Sequence, residues 1–349
     1  MPTITTDDLA DLLVSTQKDL GEMRFNQIAT RLQDYEVFPH LWKREKVDFQ
    51  GGVSISRNIM VDHSGAAKQT SLFGQDQVSV NDVMQTIERP WRFTTTNYAY
   101  ERRELLMNQG KRRLIKLIKI RRCDAMISLV EHVEDQFFAA APASTDETEI
   151  HGLKYWVVSN SSSTPGFNGG AASGNTDVAG LSPTTYSRWK NYTAIYTTVS
   201  KGDLVRKMRT AYKRIRFKSP ISIPDYRTGK GDRYRIYMNE DTITSWETLA
   251  ENQNENLGKD LAPYDGNTVF KRNPIIWVPK LDGSTSPTNP VYMLDWNYIQ
   301  PVFLSGDYLH EERPKQKFDS HNTLVVHIDC TWNILFTDRR SQAVLATTA

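Results

Sequence analysis

The stretch NYAYERRELLMNQGKRRLIKLIKIRRCDAMISLVEHVEDQFFAAA, residues 97–141, decides how the rest of this chain is read. Good helix formers dominate it, and no proline falls between Pro90 and Pro142. Leu106, Leu114, Leu117, Ile118, Ile127, Val130, Val133 and Phe137 recur at helical spacing, which favours an amphipathic helix over a strand. A helix of roughly 40 residues spans about 60 Å at a rise of about 1.5 Å per residue. That length exceeds the usual three or four turns, so other parts of the chain must support it. The stretch reads as a structural spine.

The surrounding composition narrows the function classes. With 43 Lys and Arg against 41 Asp and Glu, the 349-residue chain is close to neutral, so nothing global demands nucleic acid or an anionic membrane. Hydrophobic residues make up 39%, enough for a core, and Trp and Tyr are abundant, as at protein interfaces as well as in cores. Cys123 and Cys330 match no CxxC or zinc spacing and read as free thiols of a reducing cytoplasm. The N-terminus lacks the pattern of a signal peptide, and no apolar run is long enough to span a bilayer. A soluble protein made in a cytoplasm is expected.

Before the spine, Thr6 to Gln33 carries two short, thinly apolar helical patterns, with Leu9, Leu12, Leu13 and Leu20 on the first and Phe25, Ile28 and Leu32 on the second. They read as an arm that gains order by lying on something else. Val53, Ile55, Ile59 and Val61 then alternate with polar residues, and after a soft stretch His63–Ala67 come Val78, Val80, Val83, Ile87, Trp91 and Phe93. Two strand-like arms with a flexible tip give a protruding hairpin, or equally a surface hairpin folded back on its own domain. After the spine, Tyr155–Val158 leads into a Ser/Gly/Asn-rich loop, Asn160 to Gly180, expected to be irregular. A helix from about Lys201 to Arg216, a strand at Tyr234–Met238 and a helix starting near Asp241 follow. Strands are expected at Val269–Val278, Val291–Leu294, Ile299–Leu304 and Thr323–Phe336.

Chemistry is sparse. The seven histidines form no HExxH, HxH or Cys/His cluster. His321 and His327 could share a strand face, but read better as hydrogen-bonded structural residues. Glu311–Glu312 and the run Asp146, Glu147, Glu149 are the only carboxylate groupings that invite an acid/base role, and solvated loop charge is the ordinary explanation. GxSxG, GxGxxG, P-loop, kinase and EF-hand patterns are missing, and the sequon at Asn191 means nothing without secretion. No catalytic residue, metal or cofactor is expected, and the chain reads as a structural protein rather than an enzyme.

Two basic runs stand out. The first, Lys111, Arg112, Arg113, Lys116, Lys119, Arg121 and Arg122, lies within the spine. The second, Lys201, Arg206, Lys207, Arg209, Lys213, Arg214, Arg216 and Lys218, marks the later helix. Phosphate contact is one reading of both. Ion pairing between segments or subunits, with solvated faces over an apolar stripe, is the other and is preferred for the spine.

Arm, hairpin, long helix and mixed α+β region, in that order, resemble the major capsid proteins of tailed bacteriophages, the HK97-like capsid fold. The resemblance covers nearly the whole chain and includes Gly180–Leu181–Ser182–Pro183–Thr184–Thr185–Tyr186–Ser187–Arg188–Trp189–Lys190–Asn191, similar to the element that precedes the axial-domain helix in many such proteins. It implies an N-terminal arm at 1–46, an E-loop hairpin at 47–96 and a spine helix at 97–141. It further implies a peripheral (P) domain with the Gly/Ser-rich loop at 142–192, an axial (A) domain at 193–300 and a return to the P domain at 301–349.

The implied function is a major capsid protein that self-assembles into hexamers and pentamers of an icosahedral shell around double-stranded DNA. A separate scaffolding protein, a portal and a decoration protein are the further partners it implies, without a membrane. Arg112, Arg113, Lys116, Lys68 and Trp91 are the candidate inter-subunit contacts. Lys68 sits near the hairpin tip, where some members form an isopeptide crosslink, but no partner asparagine is identifiable and no crosslink is expected. An encapsulin-like cargo compartment shares the fold, and a nucleic-acid-binding protein or nuclease using the basic helices is the competitor from another class.

Overall fold

A computed structural model describes residues 35–43, 46–63, 65, 67–72, 83–107, 111–216, 233–251, 268–271, 273–318 and 322–348. The two arm helices expected before Gln33, Val78 and Val80 of the hairpin, Lys218 and His321 lie outside them. In chain order the elements begin with α1 (Val37–Leu41), β1 (Asp48–Gln50), β2 (Ser54–Met60), β3 (Met84–Pro90), β4 (Arg92–Glu101), α2 (Arg102–Met107) and α3 (Lys111–Phe138). Next come α4 (Leu153–Trp156), β5 (Gly166–Gly169), β6 (Asn191–Ile195), α5 (Leu204–Arg214), β7 (Tyr234–Met238), α6 (Glu240–Glu251), β8 (Val269–Phe270) and β9 (Asn273–Trp277). The last are β10 (Val291–Asp295), β11 (Ile299–Leu304), β12 (His310–Glu311), β13 (Lys315–Gln316), β14 (Thr323–Phe336) and β15 (Ala343–Ala346).

The spine is shorter than the periodicity predicts. Residues 97–101 are not helical: they finish β4, which pairs antiparallel with β14 from Arg92↔Trp332 to Glu101↔Thr323. Tyr98 and Tyr100 point inward while Asn97 and Glu101 face solvent, a period of two that sets the strand. Helix begins only at Arg102, whose amide donates to Asn322 O at 3.1 Å. The 28-residue α3, about 42 Å long, is the true spine. Its Ile118 and Ala125 pack on Tyr98, Tyr100, Leu324, Val326 and Ile328. Farther along, Phe137 stacks on Trp296 at 5.6 Å and Phe138 meets Tyr237 edge-on at 5.7 Å, so one helix supports both halves of the molecule.

The 14-residue β14 organises one sheet, with β4 along one side and β11, β12 and β13 along the other; β1 adds in parallel to β11. The second sheet has seven strands in the order β5-β6-β15-β10-β7-β9-β8. All five residues of β7 and of β10 are buried, because both faces of this sheet are covered. Leu204, Val205, Met208 and Ala211 of α5 and Trp246 of α6 cover one face, while Tyr237, Tyr292, Leu294 and Val344 enter the main core on the other. Within 301–349, where the P-domain return is expected, β14 organises the first sheet while β15 inserts between β6 and β10 of the second. Loop 160–180 is irregular apart from β5, and Tyr155–Trp156 sits in the short α4.

Candidate assembly surfaces

The hairpin is β2 paired with β3 in register from Ser54↔Pro90 to Met60↔Met84. Its alternation turns Ile55, Ile87 and Arg89 inward and Ser56, Asn58, Thr86 and Glu88 outward. The inward face lies on this chain's own body. Glu88 N donates to Ala179 O at 3.0 Å, and Arg89 pairs with Asp177 at 3.8 Å and bonds His151 Nε2 at 3.2 Å. Farther out, Arg188 meets Asp62 at 3.4 Å and His63 Nε2 at 2.9 Å. Up to His63, the folded-back alternative is therefore the one the structure takes. A cleft of about 500 Å³ remains beneath it, lined by Ile59, Met60, Arg188, Tyr298 and Arg340 among others.

Trp91, expected at an inter-subunit contact, makes contacts within its own chain. It is buried in the main core and its Nε1 donates to Gly52 O at 2.9 Å, closing the hairpin base. Lys68 is exposed, on the irregular segment beyond the strands. Arg112 and Arg113 lie in the first turn of α3 and Lys116 soon after, but their side chains fall outside the described residues.

Two spine cations are engaged within the chain. Arg121 pairs with Glu104 and donates to Ala99 O at 2.6 Å; Arg122 Nε holds both oxygens of Glu311 at 3.0 Å. Glu311 also accepts from Tyr98, and Glu312 pairs with Lys315, so the carboxylate pair is structural. Asp146 caps Thr148 at 2.8 Å, and Arg92 donates to the carbonyls of Asp146, Glu147 and Glu149, which fixes that acidic loop. Among the described residues no cluster of His, Cys, Asp or Glu could hold a metal ion, and no helix is long and apolar enough to cross a membrane.

The root of the arm sits on the spine. The Glu134 carboxylate, buried on α3, accepts from Val37 N at 3.1 Å and Phe38 N at 3.2 Å, so a side chain of one helix caps the start of another. Burial pushes its pKa up to about 7, against the lowering effect of those backbone donors. Beside it Glu36 pairs with His40 at 3.2 Å and Arg235 at 3.6 Å, tying α1 to β7. Tyr35 OH donates to Glu131 at 2.8 Å.

Sequence reasoning missed the buried Arg339. It is fully enclosed and donates to Trp156 O and Trp189 O at 2.7 Å, Gly170 O at 2.8 Å and Asn191 Oδ1 at 3.3 Å. Burial lowers its pKa to about 9, and among the described residues it has no carboxylate partner. The Trp189–Lys190–Asn191 element singled out in the sequence surrounds it. Trp189 Nε1 donates to Val178 O at 3.0 Å, and Asn191 exchanges bonds with Val158 N and O at 3.1 and 3.0 Å. A Cβ at Gly169 would collide with Asn191 Oδ1, so only glycine allows this approach. The sequon asparagine is thus completely buried.

No family model and no curated protein sequence matches this chain. Solved structures do. The cyanophage A-1(L) capsid subunit superposes with a TM-score of 0.64 at 15% identity, covering 99% of this chain and 98% of its own. The capsid of the native GTA particle gives 0.54 at 10% identity over 95% and 96%. A chain of Mycobacterium phage Ogopogo gives 0.50 at 10% over 95% and 98%. Likeness at these identities, end to end in both chains, shows the fold: this is the α+β HK97-like capsid fold.

Proposed function

We propose that this chain is the major capsid protein of a tailed phage, assembling into hexamers and pentamers of an icosahedral head around double-stranded DNA. The full-length match to the capsid fold carries the reading. In the corresponding partition, residues 1–46 form the arm, 47–96 the E-loop, and α3 the spine of a P domain that includes β14. The seven-stranded sheet with α5 and α6 is the A domain, to which β15 returns.

The distribution of exposed apolar side chains supports self-assembly. Phe49, Val53, Met60, Leu72, Met84, Phe93, Ile120, Tyr308 and Phe318 are exposed on the hairpin, the spine and the β14 sheet with its flanking loops. Large apolar groups concentrated in one part of a molecule mark surfaces that other chains cover. In this reading Lys68 and Leu72 lie with the hairpin tip against a neighbouring subunit, and Arg112, Arg113 and Lys116 bring the start of the spine to a subunit contact. Scaffolding protein, portal and decoration protein are separate chains, and assembly takes place in the host cytoplasm.

Electron microscopy of the purified full chain, with scaffold supplied, is the direct test. Icosahedral shells are expected. A stable monomer under all conditions would refute the reading, and shells filled with an enzyme would replace it by a cargo compartment. Charge reversal at Arg112 and Arg113 is expected to block assembly. Intact shells with weakened DNA retention would show that those side chains meet DNA instead.

A further inference from the structure

We infer that the outward face of α5 binds the phosphate backbone of duplex DNA without reading its sequence. This rests on the shell reading and adds which surface of the subunit meets the enclosed nucleic acid. The helix is fixed by its other side: Leu204, Val205, Met208, Ala211 and, just past its end, Ile215 are buried against the seven-stranded sheet. The opposite side presents Arg206, Arg209 and Lys213 at i, i+3 and i+7, continued by Arg214 and Arg216, all exposed.

None of these five forms an ion pair with a described residue. Lys207 is the exception on the helix, held by Asp203 one turn earlier. Arg214 makes only a 3.4 Å bond to Pro165 O. Lys201 and Lys271 line a cleft together with Arg209 and extend the positive surface beside the stripe.

From Arg206 to Arg214, along the helix, the stripe is about 12 Å long at about 1.5 Å per residue. A duplex carries one negative charge per roughly 1.7 Å of axis, so every cation of the stripe has phosphates within reach. The stripe exposes no large apolar or aromatic side chain, which a protein-binding surface would need at its centre. The α3 run contrasts with it, since Arg121 and Arg122 are already held by Glu104 and Glu311. Arg206, Arg209, Lys213 and Arg216 of the α5 stripe are not held in this way by any described residue.

The test measures binding of a random-sequence DNA duplex to the unassembled full chain by fluorescence anisotropy over a series of salt concentrations. For Arg206→Gln/Arg209→Gln/Lys213→Gln, the slope of log K against log salt is expected to fall in magnitude by about 2.7, at about 0.9 for each phosphate no longer neutralised. Each single substitution should lower it by about 0.9. Arg206→Lys/Arg209→Lys keeps the charge and should keep the slope. No measurable DNA binding by the wild type, or an unchanged slope in the triple variant, overturns the inference. So does polyglutamate binding as tightly as DNA with the same fall on substitution, which would assign the face to an acidic protein.

Electron microscopy in parallel separates this from the shell reading. Shells of the triple variant that form normally but bind DNA more weakly support both. A triple variant that folds by circular dichroism but cannot assemble, while the wild type does, makes the stripe a subunit contact and overturns the inference. A lowered slope in a chain that never assembles leaves the inference standing and sinks the shell reading.

Discussion

In the seven-stranded sheet, β7, β10 and β15 bury nearly every side chain they carry, whereas β4 of the β14 sheet buries alternate ones and leaves Phe93, Thr95 and Asn97 in solvent. Helices cover the first sheet on the face away from the main core. The second has α3 on one face and exposes Phe93, Thr95, Asn97 and Glu101 of β4 on the other. Of ten large apolar side chains exposed among the described residues, only Trp277 belongs to the seven-stranded unit, and its indole N–H bonds Asp282 at 2.9 Å. One region closes its apolar surface within a single chain; the other leaves large apolar side chains in solvent.

The sharpest way to break that contrast is to attack the seam joining the two regions. Arg339→Met removes the donor to three buried carbonyls, of Trp156, Trp189 and Gly170. Leaving them unpaired should cost on the order of 4 kcal/mol or more. Urea unfolding measures it, and a cost under about 1 kcal/mol would mean the region does not depend on this hub.

Gly152→Ala comes next. Its Cβ would stand 2.5 Å from Phe137 O and 2.6 Å from Gln136 O, both backbone atoms in the last turn of the spine. Overpacking there should cost about 3 kcal/mol and shift the thermal midpoint accordingly. A neutral outcome would show that the spine end can slide, contrary to a rigid support.

His151 tests the hairpin root by pH. Burial, reinforced by Arg89 and Arg92, lowers its pKa to about 3, while Asn333 holds its other ring nitrogen at 3.0 Å. Below about pH 6.5 the unfolded chain takes up a proton that the folded chain refuses until about pH 3, so stability falls as pH falls through that window. The decrease should reach roughly 2–3 kcal/mol near pH 4.5. His151→Asn should flatten this slope whatever it does to stability at neutral pH. An identical slope in the variant would remove His151 as its source.

The smallest stability effect is expected where the molecule is unfinished. Phe93→Ser/Phe318→Ser should change the unfolding free energy of the unassembled chain by less than about 0.5 kcal/mol, since both rings face solvent. Assembly yield should drop all the same. A large drop in chain stability with normal assembly would invert the comparison.

The order of elements is legible in the sequence because long periodic segments announce themselves: Thr323–Phe336 as strand and the spine as helix carry many apolar residues in register. The start of the spine misleads because Glu101–Glu104 are strong helix formers adjoining a strand that only pairing with β14 enforces. Sequence does not reveal that the Gly52 carbonyl lies within reach of the Trp91 indole. Residues 337–342 are all polar in sequence, yet Arg339 and Gln342 are fully buried, and the side-chain bonds to Trp156, Trp189, Gly170 and Asp295 join segments more than 40 residues away. Strand β15 is four residues of Ala, Val and Leu, too short for any periodicity to mark. The capsid fold is thus readable from order alone, whereas the contacts that hold it require the third dimension.

That short strand has a consequence for synthesis. Because β15 lies between β6 and β10, the sheet exists until residues 343–346 arrive as two separate pieces, β5–β6 and β10–β7–β9–β8, each with a bare edge facing the gap. A nascent chain leaving the ribosome therefore cannot close this unit until residues 343–346 emerge, and its unpaired edges are open to aggregation while it waits.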